Sequence, residues 1–329
     1  MSTTTTRKRK QEAVRQTRAA RPKKIKSKDS WSIGDRIGVG LAWFFGLMLC
    51  LVAAAITLYM AWKGVSFVNW EIISTSPEAS LEQSKTGGFL DPIIGTVLLT
   101  VIGAAIATPI GVAIAIWLTE YGRPAPLARF VEAGIEVIVG APSIVLAIFG
   151  LLVFQQGFLS PFSFTAEGGA VFGRSFFAAG AVMSLIALPF VVGGTREALN
   201  SIPRHVREAS YALGKDQAST IRRVLLPSSR SGIATGSTLG MAQIAGDTAV
   251  VVVLLGASLQ ISPEGDIPGL DVLKGTGSTL TSFVFQNSPA GEGNAPDKAY
   301  AAAFVLLLLV ILLNLIVNLV TRKGKQVWG

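Results

Sequence analysis

Arg207-Glu208-Ala209-Ser210-Tyr211-Ala212-Leu213-Gly214, followed after nine residues by Val224-Leu225-Leu226-Pro227, occupies a polar, basic segment between two long apolar runs. Ser201 as an N-cap with Pro203 in the first turn predicts a short helix there, with Ile202, Val206, Ala209 and Leu213 on one face. Gly214 supplies the left-handed position that ends it. Asp216 caps a second short helix, which runs to Leu226 with Ile221 and Leu225 on its apolar side, and Pro227 turns the chain back toward the next apolar run. Two amphipathic helices joined by a glycine predict a compact knob. Taken one charge at a time, Arg204, Arg207 and Glu208 are ordinary solvated residues that make weak surface pairs. The joint spacing of Glu208, Ala209, Gly214, Leu226 and Pro227 between apolar runs argues instead for a docking element.

The flanking runs set the class. Half the residues are hydrophobic and 15% are charged, with a mean hydropathy of +0.53, as in an integral membrane protein. Six runs, at 37–62, 93–118, 131–154, 175–192, 232–255 and 300–320, suit a hydrocarbon core of roughly 30 Å, which takes about 20 helical residues. A spanning segment in lipid must satisfy its own backbone hydrogen bonds, so these runs are helices. The fold class is all-α, a polytopic membrane protein with about six transmembrane helices. The expected organisation is a basic tail at 1–36, a first span at 37–62, an outer loop at 63–92, a core at 93–322 that contains the polar segment 196–230, and a C-terminus at 323–329.

Charge orients the chain. The tail through Arg36 carries 12 of the 29 Lys and Arg and the 196–230 segment carries 7. With the N-terminus inside, 24 of the 29 fall in inward segments and 5 in outward ones, the bias expected of cytoplasmic segments. Both termini are therefore expected in the cytoplasm. The tail explains most of the formal charge of +9; it has no aromatic residue before Trp31 to stack on bases, so anionic headgroups fit it better than nucleic acid. It is expected to be disordered. The first apolar run begins too far in and is too long for a cleavable signal peptide.

Several function classes are poorly served. Cys50 is the one cysteine and His205 the one histidine, which excludes a disulfide framework or thiol metal cluster and argues against a membrane-embedded enzyme. No metal or cofactor is expected. The chain contains no G-x4-G-K-[ST] phosphate loop, so ATP, if it drives this protein, is hydrolysed by another subunit. A channel or secondary transporter would need no docking knob and would often show internal symmetry.

The knob reads E-A-S-x3-G-x9-V-x-L-P, and in this it resembles the coupling loop of type I ABC importer permeases. Ile94-Gly95-Thr96, Trp117-Leu118-Thr119-Glu120-Tyr121-Gly122 and Val139-Gly140-Ala141-Pro142-Ser143-Ile144-Val145-Leu146 extend the resemblance to the PstA-type permeases of phosphate-specific importers, from about residue 93 to the C-terminus. The resemblance implies a half-transporter in the inner membrane. Its partners would be a second, PstC-like permease, a dimer of ATP-binding subunits that engages Glu208, Ala209, Gly214, Leu226 and Pro227, and an extracytoplasmic phosphate-binding protein. Another oxyanion or a phosphonate is the rival substrate. Gly103, Pro109, Gly111, Gly140 and Pro142 are expected to let helices pack closely and bend.

The fifth apolar run carries Gln243, Asp247 and Thr248, and polar groups at membrane depth mark a pathway or a partner contact. As one helix, Gln243 and Asp247 would share a face one turn apart. Phosphate permeases commonly read A-R-x-x-G-E-T here, whereas this chain has Ala242-Gln243-Ile244-Ala245-Gly246-Asp247-Thr248; where they read V-V-R-T-T it has Val191-Val192-Gly193-Gly194-Thr195. Two positive charges are missing, and Arg196 either substitutes for one or anchors the membrane boundary. Asp247 has two open roles: accepting the proton of a protonated phosphate, or pairing with the partner permease. In the long outward connection 257–299, Gly277 to Phe285 forms a mildly apolar patch suited to covering the outer mouth or, as favoured here, to docking a binding protein. Residues 291–296 read as linker.

Overall fold

The structure is a computed structural model and describes residues 32–77, 87–122, 124–164, 171–256, 260–262, 270–289, 291 and 295–322. Most of the tail, part of the outward connection and the C-terminal segment 323–329 lie outside the described residues, together with the expectations that fall on them. Among the described residues the chain is built of helices. The longer ones, with the short helix of the knob, are α1 (Ile33–Val65), α2 (Leu90–Ile116), α3 (Ala125–Gly140), α4 (Ser143–Phe154), α5 (Phe176–Ser201), α6 (Arg204–Ala212), α7 (Gln217–Thr220), α8 (Arg230–Gly246), α9 (Ala249–Leu254), α10 (Leu280–Asn287) and α11 (Pro296–Arg322).

The chain separates into two units, Met1–Leu58 and Tyr59–Gly329. In the first, α1 begins four residues before the expected start, because Ser32 and Asp35 cap it reciprocally: the Asp35 N–H donates to Ser32 Oγ and the Ser32 N–H to Asp35 Oδ2. Its large apolar side chains, from Ile37 through Trp43, Leu49 and Ile56, are exposed, as suits a helix facing hydrocarbon.

The second unit is organised by three helices. α2 and α5 run in the same direction, with Ile102 against Gly180 and Gly111 against Val191; α8 runs against them, bringing Gly232 beside Ala198 and Ile244 beside Gly103. At the α5–α8 crossing the backbones themselves meet. A β-carbon on Gly194 would stand 2.9 Å from the carbonyl oxygen of Gly232 and from Cα of Gly236, so the approach depends on glycine. Leu99, Phe176, Met183, Ile244 and Leu254 fill the core between α2, α5, α8 and α9.

Because α2 and α5 are parallel, the segment between them must carry the chain back. It does so as a broken crossing. The expected single span at 131–154 is corrected to α3 and α4, bent by 108°. Pro142 has no N–H to donate and pushes Ala141 to extended φ −78° and ψ 132°, which ends α3. The span expected at 232–255 is also interrupted. α8 stops at Gly246, Asp247 is extended at φ −79° and ψ 130°, and α9 follows until the Leu254 carbonyl accepts from Ser175 N–H at 3.1 Å. Since α8 starts at one end of α5 and α9 ends at the other, the two traverse its full height. Among the described residues, four helices are long and apolar enough to cross a membrane without a break: α1, α2 with the π turn Trp117–Tyr121, α5 and α11.

The expectation that Gly277 to Phe285 forms an exposed patch holds only at its end, where Phe285 is exposed. Ser278, Thr279, Leu280, Thr281, Ser282 and Phe283 are buried because the chain re-enters the unit here. Thr279 and Ser282 form a capping box that starts α10. The Leu280 N–H donates to Thr96 Oγ1 at 2.9 Å, the bare Gly95 admits the Ser278 carbonyl, and Phe283 packs on Phe89 with Ala301 and Ala302 of α11. Of the two readings of this segment, covering the outer mouth is the one its burial suits.

Candidate functional site

The knob stands at the end of the unit where α2 and α5 finish and α8 begins. Ser201 is not its N-cap: it is the last residue of α5, and its hydroxyl donates to the Ala198 carbonyl at 2.8 Å. Pro203 takes the cap position of α6. The predicted apolar face of α6 is only half realised. Ile202 and Val206 join Leu199, Ile221, Leu225, Ile116 and Leu226 in a small core under the knob, but Ala209 is exposed and Leu213 is 79% exposed. With Tyr211 also exposed, the far end of α6 presents an apolar tip.

Gly214 ends α6 as expected, at φ +76°. The Lys215 N–H donates to the Ser210 carbonyl and the Gly214 N–H to that of Tyr211, the paired bonds of a Schellman turn. Asp216 Oδ1 accepts from Ser219 N–H at 3.2 Å and opens α7. The second helix does not run regularly to Leu226: a π turn, Ile221–Leu225, interposes before the short turn that holds Leu226 and Pro227. Buried Ser210 and Thr220 pair through their hydroxyls at 2.8 Å and bind α6 to α7. Glu208 is exposed beside Ala209 on the outside of this unit.

Arg207 is no solvated charge. Its guanidinium donates to Glu120 Oε1 at 2.9 and 3.2 Å, to the Ile202 carbonyl at 2.8 Å and to that of Leu199 at 2.9 Å. The Glu120 side chain is 7% exposed, and its main-chain carbonyl accepts from Gln217 Nε2 at 2.8 Å. Sequence reasoning missed this anchor. The signal was an acid at the end of an otherwise apolar run together with an arginine inside the docking spacing.

The second region is a cavity of about 230 Å³ whose lining includes Ala141, Ser143, Pro189, Phe190, Gln243 and Asp247. The breaks after α3 and after α8 both open onto it. Gln243 and Asp247 do not share a helical face as predicted, because Asp247 lies beyond the end of α8, yet the cavity brings them together. Asp247 Oδ1 accepts from Val250 N–H at 2.9 Å, so the carboxylate caps α9 and holds the break open. Its carbonyl accepts from the Thr281 hydroxyl at 3.2 Å, which ties the break to α10. Thr248 occupies the position before α9 and is not part of the lining. Arg196 forms an ion pair with Glu132 of α3, an arrangement that suits an anchor better than a substitute cation in the cavity. Gly193 faces open space, so the missing arginine there is not excluded by crowding.

Residues 107–323 match the family described as "Binding-protein-dependent transport system inner membrane component". Among similar proteins, "Phosphate transport system permease protein PstA 1" of Mycobacterium tuberculosis is 30% identical, over 79% of this chain and 78% of its own. "Probable ABC transporter permease protein YqgI" of Bacillus subtilis is 28% identical over 86% of this chain and 93% of its own, and a Xylella fastidiosa "Phosphate transport system permease protein PstC" is 28% identical over 80% and 81%. The fold is shared with a chain of a bacterial alginate ABC transporter in complex with an alginate-bound periplasmic protein, at a TM-score of 0.58 and 14% identity, covering 89% of this chain and 98% of that one. It is shared also with the inward-facing MetNI methionine ABC transporter, at a TM-score of 0.52 and 21% identity, covering 73% and 95%.

Proposed function

Because the chain belongs to the family of binding-protein-dependent transport system inner membrane components, we propose that it is a permease subunit of an ATP-driven importer and that its substrate is inorganic phosphate. The observation that carries the first part is the knob, a folded unit with an exposed apolar tip on a rigid base. In this assignment the knob faces the cytoplasm and docks an ATP-binding subunit, Tyr211 and Leu213 fill a groove there, Glu208 and Ala209 lie alongside, and Gly214, Leu226 and Pro227 set the shape. Both chain termini then lie in the cytoplasm.

The substrate follows from relatives named as phosphate permeases. The cavity with Gln243 and Asp247 is half of a path completed by a second permease. Asp247, an acceptor only, favours an oxyanion that still carries a proton, as phosphate does and sulfate does not. An extracytoplasmic binding protein delivers the ion to the opposite end from the knob. The chemistry of ATP hydrolysis belongs to the partner subunits.

The experiment is reconstitution in vesicles with the two permeases, the ATP-binding subunit and the binding protein. Labelled phosphate should accumulate only with ATP, and this chain alone should hydrolyse no ATP above background. Uptake that ignores ATP would refute the importer assignment. Uptake of sulfate or a phosphonate in place of phosphate would refute the substrate.

A further inference from the structure

We infer that Glu120 and Arg207 are positioning residues that latch the knob to the end of α2, so that a displacement of the knob carries α2, α5 and α8 together. This rests on the knob being the docking point for an ATP-binding subunit. Covalently, the knob continues only into α5, through Ile202, and into α8, through Ser229. Glu120, in the π turn that follows α2, lies 87 positions before Arg207, and the chain itself gives α2 no reason to follow.

The side chains supply one. Arg207 clasps the Glu120 carboxylate with two donors while its remaining donors hold the Leu199 carbonyl of α5 and the Ile202 carbonyl just beyond it, so a single guanidinium fixes the ends of α2 and α5 to α6. Gln217 reaches Glu120 from α7 through the main-chain carbonyl, and the Ser210–Thr220 pair makes α6 and α7 one body. Glu120 sits in the π turn Trp117–Tyr121; such turns depart from regular helix bonding and recur at functional positions. Farther along, α2 meets α8 where Ile244 lies against Gly103 and where the Thr108 hydroxyl donates to Ser237 Oγ at 3.3 Å. Ile244 adjoins Gln243 in the cavity lining, so the latch connects the knob with the cavity wall by a route that does not run along the α5 or α8 backbone. Without it, α5 and α8 slide past the glycine-rich face of α2 and the motion is delivered incompletely.

The test uses the assembled transporter in vesicles, with phosphate uptake and ATP hydrolysis measured on the same preparation and the ATP-binding subunit quantified by copurification. Glu120→Gln keeps the shape and removes the charge, Arg207→Lys keeps the charge and loses the clasp, and Gln217→Ala removes only the outer bond. Uptake per ATP should fall in the order wild type, Gln217→Ala, Arg207→Lys, Glu120→Gln, by about fivefold or more at the end of the series, with the ATP-binding subunit retained. Spin labels at Arg204 and Tyr121 should keep one separation with and without nucleotide in the otherwise native chain and should separate or broaden with Glu120→Gln. An unchanged ratio of uptake to hydrolysis overturns the latch, including the case where both activities fall in proportion as the complex is lost, which is the mark of a purely structural pair. A label separation that changes with nucleotide in the native background overturns it too. Wild type that copurifies with no ATP-binding subunit refutes the docking assignment itself, a different result from either of these.

Discussion

Replacing Gly214 isolates a backbone effect. The residue sits at φ +76°, and a β-carbon built there meets no atom within 4 Å, so any loss on substitution comes from conformation rather than crowding. A side chain in the left-handed region costs about 1–2 kcal/mol, least for Asn, more for Ala and most for a branched residue such as Val. The Schellman bonds from Gly214 and Lys215 are the ones given up if the turn relaxes. Since about 1.4 kcal/mol is a tenfold change in an equilibrium constant, Gly214→Val should shift the ordered turn roughly tenfold toward frayed forms, while the apolar base and the Arg207 clasp hold the rest of α6. Copurification of the ATP-binding subunit and phosphate uptake should decline in the order Gly, Asn, Ala, Val. Equal docking by Gly and Val would refute the reasoning, and so would Asn performing as badly as Val, which would point to bulk in a space the structure leaves open.

Leu213→Asp should leave thermal stability within about 0.5 kcal/mol, as for exposed positions generally, while abolishing copurification of the ATP-binding subunit; a large drop in melting temperature would contradict its exposed placement. Asp247→Asn keeps an oxygen for the α9 cap and removes the charge, so assembly should persist with uptake sharply reduced, whereas Gln243→Ala should be mild in the same uptake assay. Asp247→Ala loses the cap as well and should lower stability by about 1 kcal/mol more than Asn, read from thermal unfolding in detergent. Gly194→Ala must push α8 off α5 and should destabilise by about 1–3 kcal/mol; an unchanged unfolding midpoint would refute the close crossing.

How much of this was legible in the sequence depends on whether local chemistry or long-range contact decides. Gly214 and Asp216 act within a few residues, and both appear where turn and cap chemistry put them. The apolar runs announced helices for the same reason. Hydropathy does not announce where a run breaks: Pro142 and the Gly246-Asp247-Thr248 sequence carried the stop signals, but the apolar residues around them masked a bend and a gap. Leu213 shares its expected face with Ile202 and Val206 yet is exposed, since helical spacing says which residues share a side, not whether anything covers it. The Glu120–Arg207 pair and the burial of α10 depend on partners tens to hundreds of residues away, and periodicity is silent about both. The acid at the close of α2 and the Thr279/Ser282 box were visible; their partners were not.

The docking of α10 also bears on biosynthesis. Its first N–H bonds to Thr96 across 184 positions of sequence, so the receiving notch on α2 stands empty while nearly all the intervening chain is made. Contacts of such separation close late and slowly. α11, which packs over α10 from the other side, emerges later still. Maturation of this end of the protein therefore waits for α10 and α11 to leave the ribosome, and a nascent chain released just after α9 holds the helices of the inner core yet lacks the piece that closes it.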